Sequence, residues 1–151
     1  MPLTNEFPAR GCVLEAADGH VVFAPGGFRY QLQLATSGRY GGPLRVPVNG
    51  LIRGVARQIW TIPAGGNFIA PIFGTPRTVQ GRVKYVSDSE IVVQAGVPIT
   101  LQMPQSDEAI DLTNGPLAVG VMVNAMVMPG VEFRWIEAPA AGAVAAAGAT
   151  V

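Results

Sequence analysis

The chain has 151 residues, of which 49% are hydrophobic, and its ten Lys and Arg residues balance its ten Asp and Glu residues. A domain of this length removes roughly two-thirds of its unfolded surface from water, and the apolar content and zero net charge exclude an intrinsically disordered protein. A single cysteine, Cys12, excludes a disulfide framework.

Short runs rich in β-branched and aromatic residues alternate with Gly and Pro along the chain, which predicts an all-β fold. The strands expected in the first half cover 13–17, 20–24, 28–34, 44–56 and 57–62. Those expected in the second half cover 82–87, 90–94, 98–103, 116–128 and 131–137. Polar and apolar residues alternate within 28–34, so one face of that strand should be buried and carry Phe28, Tyr30, Leu32 and Leu34.

The two halves of the chain resemble each other when the sequence is compared with itself. In order, Gly11, Val13, Asp18, Val21, Val22 and Gly26 fall on Gly81, Val83, Asp88, Ile91, Val92 and Gly96. Further on, 42–44 and 115–117 both read Gly-Pro-Leu, and Trp60 falls on Trp135. We therefore expect an internally duplicated small barrel or sandwich, with two repeats of about five strands each related by pseudo-twofold symmetry. Shared β composition is the alternative explanation.

This comparison also predicts the domain organisation. We expect an N-terminal arm at 1–10, a basic β repeat at 11–64, an apolar connector at 65–79, an acidic β repeat at 80–139 and a flexible Ala- and Gly-rich tail at 140–151. The connector is too apolar for a free linker. The two repeats should therefore form one compact domain, although two tandem barrels are also compatible with the pattern.

Few residues in the chain can carry catalysis, since it has one His, one Cys, one Lys and four Ser. His20 has no second histidine with which to build a metal site. Cys12 lies among hydrophobic residues, where a thiol is inert. Asp107, Glu108 and Asp111 are close in sequence, but their spacing does not match a calcium-binding loop. We expect a protein without enzymatic activity, cofactor or metal.

Charge is distributed unevenly between the two halves. Residues 1–79 hold seven Arg against three acidic residues, whereas 80–151 hold three basic residues against seven acidic ones. This polarity predicts that the basic half of one molecule binds the acidic half of another. The candidate interaction residues are Arg29, Arg45, Arg53, Arg57, Asp107, Glu108 and Asp111. Two solvated faces that differ only in charge are the other interpretation.

The connector carries two aromatic residues, Phe68 and Phe73, between Gly residues. One interpretation is that it covers an open end of the β core. The other is that it docks a partner, with Phe68 and Phe73 as the anchors.

These patterns together predict a non-enzymatic structural or protein-interaction module that forms a homo-oligomer or binds a protein partner. The alternative is a protein that binds nucleic acid or another anionic ligand. Its phosphate contacts would be Arg29, Arg39, Arg45, Arg53 and Arg57, and its stacking faces Phe28, Tyr30, Tyr40 or Trp60. The sequence has no apolar run of 18 residues and no N-terminal pattern of a secretory signal, so we expect no membrane span. The expected location is the cytoplasm, or a virion or other assembly.

Overall fold

The computed structural model describes residues 7–26 and 29–136, and these residues form β-strands joined by turns and loops. The strands are β1 (Ala9–Pro25), β2 (Gln31–Arg39), β3 (Pro47–Ile62), β4 (Phe68–Ala70), β5 (Phe73–Gly74), β6 (Thr78–Val86), β7 (Glu90–Gln94), β8 (Pro98–Gln102), β9 (Ile110–Asp111), β10 (Met122–Val127) and β11 (Glu132–Ile136). One 3-10 turn, Asp107–Ala109, precedes β9. The predicted all-β class is confirmed. In the part of the chain that is described, no helix is long and apolar enough to cross a membrane.

Five of these strands close into a barrel. β6 pairs antiparallel with β7 and with β10, β7 pairs with β8, and β10 pairs with β3. β8 then pairs parallel with β3, with Arg53 beside Thr100, which completes the ring. Because successive residues of a strand point to opposite faces, alternate aliphatic side chains fill the interior. They include Val79, Val83, Val93, Ile99 and Leu101, all fully buried.

The long strand β1 doubles back on itself. The backbone N–H of Gly26 donates to the carbonyl of Arg10 at 3.0 Å, so the two ends of the strand lie side by side. The reversal lies at the Asp-Gly pair that ends in Gly19, whose φ of 91° suits glycine. Gly11 lies so close to the carbonyl of Ala24 that no Cβ would fit. β1 is therefore a hairpin in its own right.

The remaining strands extend the sheet from the barrel. β2 pairs antiparallel with β1 and parallel with β11 at one position, Glu132 beside Ala35. β11 pairs antiparallel with β3, and β1 pairs with the start of β3. β3 is therefore shared: its first half belongs to the β1, β2 and β11 group, and its second half belongs to the barrel.

The buried side chains of both groups form one hydrophobic cluster. Ile52 and Ile59 lie in the two halves of β3 and both belong to it. Phe23 of β1 and Phe133 of β11 are also members, with ring centroids 4.8 Å apart. Burial of each such side chain contributes about 1.5–3 kcal/mol, so the shared core stabilises both groups together.

Several strand predictions require correction. The predicted strands 44–56 and 57–62 are one continuous strand, β3. The predicted strand 116–128 begins only at 122, because Gly120, with a φ of 92°, interrupts the extended backbone. The connector 65–79 contains β4, β5 and the start of β6, which pair with neighbouring strands. The strand predicted at 28–34 is β2, which covers 31–39, and the predicted burial is confirmed for Leu32 and Leu34. Phe28, residues 1–6 of the predicted arm and the predicted tail lie outside the described residues.

Candidate functional site

A groove of about 430 Å³ lies on the outer face of β1 and β2. It brings together Arg45 and Phe73, which the sequence singled out for separate reasons. Its volume is in the range of sites that take a small ligand or a few side chains of a partner. The rest of its lining consists of Leu14, Glu15, Val22, Gln31, Gln33 and Gly74.

Strand alternation explains the floor of the groove. Leu32 and Leu34 of β2 point into the core, so the alternate residues Gln31 and Gln33 point outward. Val22 of the paired strand β1 is half-buried beside them. The floor therefore offers amide groups, which both donate and accept hydrogen bonds, next to an aliphatic surface.

Arg45 holds an unusual backbone conformation at the edge of the groove. Its φ is 62°, in the left-handed region, and its backbone N–H donates to the carbonyl of Val13 at 2.8 Å. The same arrangement recurs at Gly120, where φ is 92° and the N–H donates to the carbonyl of Val83 at 2.8 Å. A left-handed conformation costs a residue other than glycine about 1–3 kcal/mol. Arg45 therefore holds a backbone conformation that favours glycine.

Exposed hydrophobic residues lie next to Arg45 and Phe73 in the sequence. Phe73 is 63% exposed although its strand, β5, is held against β2 by backbone pairing. Gln31 also donates its N–H to the carbonyl of Ile72 at 2.9 Å. Phe73 lines the groove, and Leu44, Val46 and Ile72 are exposed residues next to Arg45 or Phe73 in the chain; we call these four residues the apolar rim. Exposed hydrophobic groups next to a concave site are typical of protein-binding surfaces.

The other predicted basic and aromatic residues lie elsewhere. Arg53 forms a salt bridge with Glu90, with Nη2 and Oε2 3.0 Å apart, and so joins the basic and acidic halves within one molecule. Arg57 on β3 and Arg29 before β2 are exposed, but neither lines the groove. Phe68 is half-buried in β4, which pairs with β6. Of the two predicted aromatic anchors, Phe73 is the one that the structure exposes at the groove.

The predicted acidic residues lie in one exposed stretch, residues 107–112, which we call the acidic segment. Asp107 and Glu108 begin it in the 3-10 turn, where the Ser106 hydroxyl accepts a hydrogen bond from the Glu108 N–H at 3.2 Å. Asp111 accepts hydrogen bonds from the hydroxyl and the backbone N–H of Thr113, which lower the pKa of its carboxyl. Among residues 7–26 and 29–136, no three His, Cys, Asp or Glu side chains converge as a metal site.

A second concavity, of about 230 Å³, gathers cations and aromatic rings, and we call it the aromatic pocket. The rings of Tyr40 and Trp135 meet edge to face with centroids 5.7 Å apart, and Arg39 and Arg134 line the same pocket. Burial raises the pKa of the Tyr40 phenol, whose hydroxyl donates to the Pro43 carbonyl at 2.8 Å. The sequence predicted Arg39 and Tyr40 as nucleic-acid contacts. It did not predict that Arg134 and Trp135 line the same pocket, because the two segments are far apart in the chain.

The remaining chemically reactive side chains do not form a site with these residues. His20 is exposed beside the β1 turn, and Cys12 is a half-buried free cysteine on β1. Neither lines the groove or the aromatic pocket. No protein-family model matches this sequence, and no curated protein is significantly similar to it. The function must therefore be argued from the surface itself.

Proposed function

We propose that this protein is a non-enzymatic structural or protein-interaction module that associates with copies of itself. The observation that carries the proposal is the groove with its apolar rim, a cavity that exposed Phe73 and Arg45 both line. Aromatic residues and arginine are the residue types enriched at protein interfaces and at their energetic hot spots. A left-handed arginine persists where the surrounding structure fixes it, and such outliers cluster at functional sites.

The proposal includes an internal duplication, supported by the strand registers. Gly11 lies opposite Val48, and Gly81 lies opposite Val123. Aligning these pairs matches Val48-Asn49 with Val123-Asn124, and it matches Arg45 with Gly120 and Leu14 with Lys84. A second pair of registers also corresponds. Phe23 lies opposite Leu32 in the first half, and Val93 lies opposite Ile99 in the second. This match places Leu32 on Ile99, two residues away from the position that the sequence comparison alone gives. On this alignment the groove is a property of the first half, because its arginine and leucine are replaced in the second half.

The charge distribution supports the same function. Arg29 and Arg45 are exposed in the first half, and Asp107 and Glu108 are exposed in the second. Arg53 pairs with Glu90 of the same molecule but keeps 43% of its side chain exposed, so it stays a predicted interaction residue. Opposite charges on different faces promote association and fix its orientation. We therefore expect salt to weaken self-association, since exposed charges are screened beyond about 10 Å at 0.1 M ionic strength.

Light scattering across a concentration series, at low and high salt, tests the proposal. The wild-type protein should form species heavier than the monomer, and Phe73→Ser should weaken association about tenfold or more. Val119→Ser is the matched control, because Val119 is 65% exposed, similar to Phe73 at 63%, and does not line the groove. A wild-type protein that stays monomeric at all concentrations and both salts would contradict the proposal. Equal effects of the two variants would remove the groove from it.

The aromatic pocket favours a second candidate function, the binding of nucleic acid or another anionic ligand. Arg39 and Arg134 line this pocket with the rings of Tyr40 and Trp135, a combination that suits phosphate and base together. Glu132 lines it too, so the two arginines exceed the acidic residues of the lining by one. Titration with a single-stranded oligonucleotide, followed by fluorescence anisotropy, tests it. Binding that weakens with salt and with Arg39→Glu supports this function, and an unchanged anisotropy at low salt contradicts it.

A further inference from the structure

We propose that the groove of one molecule binds the acidic segment, residues 107–112, of a second copy. This inference rests on the proposed self-association and names the two surfaces that meet. Arg45 would receive a carboxylate of the acidic segment, and Leu112 would pack against Phe73. The sequence of the segment is Asp-Glu-Ala-Ile-Asp-Leu, so it presents charge and an apolar side chain together.

The chemistry of the groove fits a short peptide segment. Gln31 and Gln33 can donate to and accept from a peptide backbone on the floor of the groove. Leu14 and Val22 provide an aliphatic wall for an apolar side chain. Arg45 offers the planar guanidinium that pairs with carboxylates through two hydrogen bonds. A segment with one carboxylate and one apolar side chain next to each other would satisfy all three features.

The groove lining also includes an acidic residue, which limits where a carboxylate can bind. Glu15 lines the groove, as Arg45 does, and it would repel a carboxylate that lies near it. Within the described residues, neither Glu15 nor Arg45 forms a salt bridge. A bound acidic segment would therefore be favoured only where its carboxylate lies closer to Arg45 than to Glu15. This pairing of attraction and repulsion is how interfaces acquire a unique register.

The acidic segment is presented in a form that suits binding. Asp107 and Glu108 are exposed, and Leu112 is 44% exposed. Within the described part of the chain, no salt bridge involves the carboxylates of the segment. Its backbone is fixed at both ends, by the hydroxyl of Ser106 and by the pairing of β9 with β3. A segment held in one conformation loses less entropy on binding than a mobile one.

The two surfaces lie on different parts of the molecule, and this determines the kind of assembly. The groove is built on β1 and β2, whereas the acidic segment is attached to the second half of β3 through β9. A contact between two different patches is heterologous, so each bound copy still offers one free groove or one free segment. Assembly should therefore proceed beyond the dimer to a ring or a filament.

A charge exchange between two variants tests the assignment. Arg45→Glu alone, and the double variant Asp107→Lys with Glu108→Lys alone, should each weaken association at least tenfold. In an equimolar mixture the reversed groove meets the reversed segment and the native groove meets the native segment, so heavy species should return. Arg77→Glu, which alters an exposed arginine that does not line the groove, is the control and should associate like the wild type.

The outcomes separate this inference from the function on which it rests. If the wild type associates and both charge variants associate equally well, the acidic segment is not the occupant, although self-association stands. If both variants lose association and their mixture does not recover it, the two surfaces do not meet. A monomeric wild type overturns both proposals. Arg45→Gly removes the same charge with a residue that favours the left-handed backbone, so its loss of association in a folded protein would support the assignment independently of any folding defect.

Discussion

Replacing Arg45 by glycine should make the fold more stable, although it removes a large side chain. The φ of Arg45 is 62°, and this conformation costs a residue other than glycine about 1–3 kcal/mol. Glycine also gives the unfolded chain more conformational entropy, which lowers the stability of the fold by about 0.5–1 kcal/mol and offsets part of this gain. The exposed side chain of Arg45 forms no salt bridge within the described residues, and glycine keeps the backbone hydrogen bond to Val13.

The net gain is about 1 kcal/mol, which corresponds to a rise in Tm of about 2–4 °C for a domain of this size. Differential scanning calorimetry at high salt and low protein concentration measures this without a contribution from association. Gly120→Ala is the mirror experiment: its Cβ would enter open space at a φ of 92°, so the substitution should cost about 1 kcal/mol through the backbone alone. Arg57→Gly, within β3, controls for the loss of an exposed arginine and should lower stability by about 0.5–1 kcal/mol. A Tm for Arg45→Gly at or below that of the wild type would refute the reasoning.

Three further predictions concern the fold and its charges. Gly81→Ala should destabilise the protein by about 3 kcal/mol in urea unfolding, because the new Cβ would collide with a backbone carbonyl of β7; a loss below about 1 kcal/mol would contradict that packing. Thr61→Val should cost about 1 kcal/mol, since the buried hydroxyl donates to the carbonyl of Gly115 at 2.9 Å, and unchanged stability would show that this bond contributes nothing. The carboxyl of Asp111 should titrate below the usual aspartate range in an NMR pH series, and Thr113→Val should move its pKa back up. Because that pKa is lowered on folding, the stabilisation exists above the unfolded pKa and disappears as the pH falls through the folded one; an unshifted carboxyl in the wild type would contradict the hydrogen bonds.

Local patterns in the sequence were sufficient where one face of a strand is buried. The alternation around Leu32 and Leu34 placed both residues in the core, as the structure confirms. Local pattern failed for β3, which was divided after residue 56. The structure has a bulge in the pairing of β3 with β10 at this point, opposite Val127. A strand that changes its neighbours along its length does not follow a single alternation, so its continuity could not be read from the sequence.

The candidate site was predictable as a set of residues but not as an arrangement. Arg45 and Phe73 were both singled out, but their proximity depends on the parallel pairing of β5 with β2, which joins distant segments. Charge counting could not reveal that Glu90 faces Arg53 within the same molecule, so the sequence did not predict this salt bridge. The left-handed backbone of Arg45 had no signal in its own residue type, since such positions usually carry glycine.

The sharing of β3 between the two groups of strands determines how the protein unfolds. Its first half is held by β1 and β11, and its second half by β10 and β8. Neither group can therefore open fully without removing backbone partners and core contacts from the other, so the two halves should unfold in a single cooperative step. The groove on β1 and β2 is therefore supported by the stability of the whole chain. A separate small barrel has a smaller core and could not tolerate the strained backbone of Arg45.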